Sequence, residues 1–260
     1  MPATPFVLLT KSRSGSKWLT ELLDSHDDVA VFPELFGGAQ VRKDYGSDGV
    51  PTFDEYVARG RVTRSLPSEI TRTAYLRLLH RSGAGAHAVG VKLVYAHATR
   101  GVLAYLAARR VRVIHLIRTN VFDSVVSYEA AIARAFVGDR QGEPLERVSL
   151  RLDVQALRQR LEDHEYAIAR ARAAIQHWRL PWIDAYYEEL VGRRDETLAG
   201  LLRYLGVAPV THGLRSTFVS VDDQPNVAIE NLAEVRSELA GTRFEWMLEP
   251  DDSRVSRATS

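Results

Sequence analysis

The 260-residue chain contains no cysteine, only four lysines and no long apolar run, and each shortage excludes something. Without cysteine there is no disulfide, no thiolate nucleophile and no cysteine-ligated metal. Lys11 and Arg13 interrupt the apolar stretch near the N-terminus, so neither a signal peptide nor a membrane helix is read. The expectation is a cytoplasmic protein with no membrane span. A formal net charge of +1 supplies no uniform basic field for a nucleic-acid partner, so anion recognition must be local. Two of the four lysines, Lys11 and Lys17, fall in one short loop.

What is present fits one soluble domain over residues 1–260, with 45% hydrophobic and 26% charged residues. Short β-branched or apolar runs alternate with helical patterns. Strands are expected at Phe6-Val7-Leu8-Leu9, Val29–Phe32, Ala88–Tyr95, Val111–Ile117 and Pro181–Tyr187. Helices are expected from near Ser14, over Phe53–Ala58, Ser68–Arg81, Thr99–Arg110, Val121–Phe136, Asp153–Arg179, Asp195–Leu205 and Glu230–Ala240. Gly138 to Gly142 marks a break, Val207–Val227 reads as irregular, and residues 249–260 read as a frayed end. The alternation predicts an α/β fold, a central parallel sheet between two helical layers. Ligands on such sheets sit at the carboxyl ends of strands. The segment after Leu9, the Pro33-Glu34 turn, the end of the Lys92 strand and Arg118 should therefore share one rim.

The stretch from Thr10 to Lys17 concentrates the chemistry. A strand feeds a loop holding Lys11, Ser12, Arg13, Ser14, Gly15, Ser16 and Lys17, and a helix with Trp18, Leu19, Leu22 and Leu23 on one face follows. Free N–H groups at a helix start, hydroxyls and cations together suit a phosphate or sulfate. A Walker A loop needs an early glycine and a Gly-Lys-Ser/Thr end. Here Trp18 follows Lys17, so the Mg²⁺-binding hydroxyl is missing and a metal-independent site is expected. Arg118, at the end of the Val111–Ile117 strand, opens a second strand–basic turn–helix unit with Ser124 and Ser127 on the helix. The plain alternative is a pair of solvated basic turns.

TKSRSGSKWLTELLDSH, Thr10 to His26, resembles the 5′-phosphosulfate loop of sulfotransferases that use 3′-phosphoadenosine 5′-phosphosulfate (PAPS). VIHLIRTNVFDSVVSYEAA, Val113 to Ala131, is similar to their 3′-phosphate segment. VGVKLVY, DAYYEELVGRRDETLAGLLRYLGV and IENLAEVRSELAGTRFEWML echo further elements of bacterial and carbohydrate-type members, so the likeness spans nearly the whole chain. The resemblance implies the P-loop nucleotide-kinase-like fold in its metal-independent sulfotransferase form, with PAPS as co-substrate and 3′,5′-adenosine bisphosphate (PAP) as product. It implies a backbone cradle of Ser14, Gly15 and Ser16, and Arg13 on the 5′-phosphate. It further places Trp18 near the adenine or behind the loop, and Arg118 with Ser127 or Ser124 on the 3′-phosphate. Lys17 replaces the family's usual threonine. Lys11, Ser12 and Arg215 are further cofactor-binding candidates.

Sulfuryl transfer to a hydroxyl, less readily to an amine, needs a base for the acceptor proton. Glu34 and His97 are the two candidates, with Arg13, Lys17 and Lys92 available to stabilise charge on the leaving oxygen. His115, in mid-strand, reads as a satisfied core histidine. The acceptor is expected to be a carbohydrate, glycolipid or other small molecule, with its determinants in insertions at 39–81 and 207–231. A metal-using P-loop kinase and a non-catalytic nucleotide-binding protein are the rival readings. Monomer or homodimer stays open.

Overall fold

The computed structural model describes residues 3–36, 50–60, 68–83, 85–137, 148–217 and 227–249. Five parallel strands form the central sheet: β1 (Thr4–Thr10), β2 (Val29–Phe32), β3 (Ala88–Val94), β4 (Arg112–Ile117) and β6 (Trp182–Tyr186), ordered β2-β3-β1-β4-β6. Between and after them come α1 (Ser16–Asp24), α2 (Phe53–Arg59), α3 (Ser68–Ser82), α4 (Arg100–Ala108), α5 (Val121–Val137), α6 (Val154–His177), α7 (Tyr187–Gly192), α8 (Arg194–Leu205) and α9 (Leu232–Leu239). The expected three-layer α/β/α architecture is the one observed.

β1 is buried on both faces because helices cover both, which is why its sequence runs apolar without alternation. Phe6 and Leu8 face α1, α7 and α8, while Val7 and Leu9 face α3, α4 and α6. A third cluster joins α5, α6, α9 and the Phe244–Met247 turn. Phe6 fits only because β3 carries Gly90 opposite it; a Cβ there would overlap the Phe6 ring. α4 is anchored by a neighbour's carboxylate as well as its own cap: Glu69 of α3 accepts from Thr99 Oγ1 (2.6 Å) and the Gly101 amide (2.9 Å).

The structure departs from expectation in several places; α7, for one, is a helix that the sequence reading did not contain. α1 starts at Ser16 rather than Ser14, because Gly15 adopts a left-handed φ of 75° that no helix interior accepts. A second, two-stranded parallel sheet, β5 (Val148–Leu150) with β7 (Val227–Ile229), is absent from the sequence reading. Three-residue strands are too short to show a period of two. Gly138–Gly142, the tail beyond residue 249, and residues 39–49, 61–67 and 218–226 of the expected insertions lie outside the described residues. Among the described residues, no helix is long and apolar enough to cross a membrane.

Candidate active site

Parallel pairing puts the carboxyl ends of all five strands on one edge, and the chain reverses direction across the sheet at β1, giving a switch point there. The loop after β1 ends in an α1 amino terminus with no side-chain cap and no acidic residue in its first turn. Its amide groups and the positive end of the helix dipole therefore remain available to an anion. Arg13 also sits at positive φ, 68°, so the loop carries two left-handed residues around Ser14. Ser14 and Ser16 are buried, and Ser12 and Arg13 are exposed. Lys17 is the second residue of α1 and half-buried.

The two predicted anion units meet. Arg13 donates from Nε to Ser127 Oγ (3.1 Å) and from Nη2 to the Ser127 carbonyl (3.1 Å). Ser124 Oγ donates to the Arg13 carbonyl (3.2 Å), so Ser124 ties the loop backbone to α5 while Ser127 faces the Arg13 side chain. Arg118 is almost fully buried at the end of β4. It lies 4.5 Å from the centroid of the Tyr187 ring and pairs with Asp123 at 2.9 Å. Asn120 caps α5, accepting from the Asp123 amide (3.2 Å).

Tyr187 and Glu188 escaped the sequence reading, although they stand inside the DAYYEELV segment that carried part of the resemblance. The Tyr187 ring is wedged between Gly15 and Arg118, and Trp18 meets it edge-on at 6.1 Å. Glu188 Oε1 accepts from the Thr119 and Asn120 amides (2.9 and 3.0 Å), fixing the turn after Arg118. One short helix thus braces both anion units. Gly15→Ala is expected to damage the loop twice, through strain at positive φ and through overlap with Tyr187. Denaturation should show a loss of about 2 kcal/mol or more, which Tyr187→Ala in the same chain relieves only in part. A neutral Gly15→Ala variant would contradict this packing.

Glu34, on the turn after β2, forms an ion pair with Lys92 of β3 (3.3 Å), so the strand lysine is matched by a carboxylate across the rim. Burial pushes the Lys92 ammonium below its usual range; the Glu34 charge opposes that shift and the Arg13 charge adds to it. His97 stacks on Phe36 at 5.5 Å, and its Nδ1 lies 3.4 Å from Arg72 Nη1. Burial lowers its pKa and the Glu34 charge counteracts. The two base candidates are therefore electrostatic neighbours. His115 is fully buried: its Nδ1–H donates to Asp184 (3.0 Å) and its Nε2 accepts from the Tyr95 hydroxyl (2.8 Å). Arg172 holds the other Asp184 oxygen at 2.8 Å.

Arg215 lies apart from the loop. Its amide bonds Ser25 Oγ (3.0 Å) at the carboxyl end of α1. That is about 13 Å along the helix axis from the anion-binding end. The segment from Leu214 to Thr217 is held there by Glu21, which accepts from the Thr217 amide (2.7 Å) and Ser216 Oγ (2.8 Å). Lys11 is also displaced from the anion cradle: it turns toward Asp163 and His164 of α6, along a cavity of about 480 Å³ between the loop, α5 and α6.

His164 is buried, and burial together with the Lys11 and Arg118 charges lowers its pKa to about 3. His80, which donates from Nε2 to the Phe6 carbonyl (3.1 Å), is lowered to about 4, chiefly by burial. Between pH 6.5 and 4 the unfolded chain takes up protons on these rings while the folded chain does not. Their contribution is complete above about pH 6.5 and is lost as pH falls toward 4, on the order of 3 kcal/mol each. Urea unfolding at pH 7.5 and 4.5 should show His164→Gln and His80→Gln each flattening the loss; equal slopes in wild type and variants would contradict it.

Three solved structures are similar to this chain. A sulfotransferase from Alicyclobacillus acidocaldarius shares 17% identity, with 98% of this chain and 100% of that one covered, at a TM-score of 0.45. The sulfotransferase domain from the curacin biosynthetic pathway shares 16%, covering 100% and 98%, at 0.46. Mouse sulfotransferase SULT7A1 complexed with PAP shares 12%, covering 96% and 80%, at 0.45. No curated protein matches the chain. The sulfotransferase family model matches residues 5–211, which include the β1 loop, the Glu34–Lys92 pair, the Arg118 turn and the Tyr187 brace: the chain belongs to the sulfotransferase family.

Proposed function

We propose that this sulfotransferase moves the sulfuryl group of PAPS to a hydroxyl of a small-molecule, carbohydrate or glycolipid acceptor, without a metal ion. The observation that carries the reading is the joining of two anion units, the α1 amino end and the Arg118–Ser127 turn, by the Arg13–Ser127 hydrogen bonds. A nucleotide with phosphates at both its 3′ and 5′ positions matches two adjacent anion sites; a triphosphate places all its charge at one. In this reading the α1 amides with Ser14, Gly15, Ser16 and Lys17 hold the 5′-phosphosulfate. Arg118 and Ser127 hold the 3′-phosphate, Arg13 bridges the two units, and Trp18 lies by the adenine.

Glu34 is the base. It removes the acceptor's hydroxyl proton as the new oxygen–sulfur bond forms, and Lys92 keeps its carboxylate oriented toward the loop. The electron pair of the breaking sulfur–oxygen bond goes to the 5′-phosphate of PAP. There the α1 dipole, Lys17 and Arg13 meet the developing charge. His97, stacked on Phe36 beside Arg72 and within reach of the Glu34 charge, supports the base rather than replacing it. Trp18 in place of the Mg²⁺-binding hydroxyl supports metal independence. Thermal melting in EDTA tests the reading: PAP should raise Tm by several degrees, and ATP with Mg²⁺ in place of EDTA should raise it less. The reverse order would favour a kinase.

A further inference from the structure

The cavity beside the loop does not end at α6. A second cavity of about 310 Å³ continues it, and Tyr95, Ala96 and Ala167 line both. The two differ in chemistry. The first, at the loop, presents Lys11, Ser12, Asp163 and His164, groups that hydrogen-bond a polar head. The second is walled by Leu9, Ala98, Leu103, Ala171 and Ala174, with Tyr166 and Arg170 as its polar-tipped members.

Two features make the second cavity a built space. Ala167, Ala171 and Ala174 recur at spacings of four and three, so one face of α6 is shaved to methyl groups where it passes Leu9 and Leu103. Tyr95, where the two cavities adjoin, is also held in place. Tyr95 is bonded to His115, His115 to Asp184, and Asp184 to Arg172 of the same helix. With Asp184 accepting at Nδ1, the Nε2 of a neutral His115 is an acceptor, and the Tyr95 hydroxyl must donate to it. The ring therefore cannot swing away to fill either space without losing a buried hydrogen bond.

Resting on the sulfotransferase reading above, we infer that the acceptor is an amphiphile. Its polar head occupies the cavity at the loop and extends its hydroxyl past Arg13 to Glu34, and an aliphatic tail runs past Tyr95 along the alanine face of α6. The acceptor's class is thereby set by α6, outside the insertions at 39–81 and 207–231.

Alkyl β-glucosides of increasing chain length, kept below their micelle concentrations, probe this directly. Calorimetric titration of the protein in the presence of PAP should show affinity rising by up to about fourfold per methylene between methyl and octyl glucoside, and at least tenfold overall. Ala171→Leu and, separately, Ala174→Leu should collapse the octyl-to-methyl ratio to within about twofold. A flat series in the wild-type protein, or a ratio untouched by both variants, overturns the inference. A PAP titration on the same samples keeps the two readings apart. Retained PAP binding with a flat series overturns the amphiphile alone; absent PAP binding overturns the PAPS reading, and the glucoside series still decides whether the cavity takes a tail.

Discussion

Arg118→Ala is expected to weaken PAP binding at least 100-fold, the largest loss from any single side chain. Arg118 is buried against Tyr187 and beside Asp123, at the end of a central strand. A guanidinium held there is preorganised, so little conformational entropy is lost when it meets a phosphate dianion. A charge-assisted hydrogen bond contributes about 1.5–3 kcal/mol, and a bidentate pair more than one such bond. Because truncating a buried arginine also costs stability, Arg118→Lys and Arg13→Ala serve as companions. Arg118→Lys keeps the charge but loses the fork, and should weaken PAP by about tenfold. Arg13 is exposed, so Arg13→Ala should leave the melting temperature nearly unchanged and still weaken PAP more than tenfold. Wild-type affinity in both Arg13→Ala and Arg118→Lys would remove the two-site reading.

Glu34→Gln carries the second large effect. The amide preserves shape but cannot take a proton, so turnover should fall by about 100- to 10,000-fold while PAP affinity stays within about threefold. Lys92 is coupled to this residue: its ammonium is pushed down by burial and held up by Glu34. Neutralising Glu34 therefore removes the charge that favours protonated Lys92, and the pH dependence of any residual turnover should shift as well as its size. His97→Asn should reduce turnover much less, because His97 packs on Phe36 and Arg72 and only modulates the charge at Glu34. If His97→Asn were the inactive variant and Glu34→Gln the active one, the roles would be exchanged.

The middle of the sheet was legible because its strands are buried on both sides, leaving an unbroken apolar run such as Phe6–Leu9. The loop was legible because cations, hydroxyls and a glycine crowd between a strand and a helix, and its rim followed from parallel pairing. What stayed hidden depends on contacts between distant segments. Gly15 was read as a cradle residue, yet its neighbour Tyr187 is over 170 positions away in sequence, and no local pattern joins them. Lys92 was read as a charge stabiliser on one strand and Glu34 as a candidate base on the turn after another; only the fold pairs them. Arg215 looked like a free cation in an irregular segment, whereas Ser25 and Glu21 draw that segment to the far end of α1. Asp163 and His164 fell within the helix expected over Asp153–Arg179, and periodicity identifies a face but not the cavity it borders.

Incubation of the protein with PAPS and a metabolite extract in EDTA, read by mass spectrometry, tests the central claim most directly. PAP and a sulfated metabolite should appear together, in equal amounts, and both should vanish with Glu34→Gln. PAPS left intact beside a phosphorylated product formed only with ATP and Mg²⁺ would contradict it.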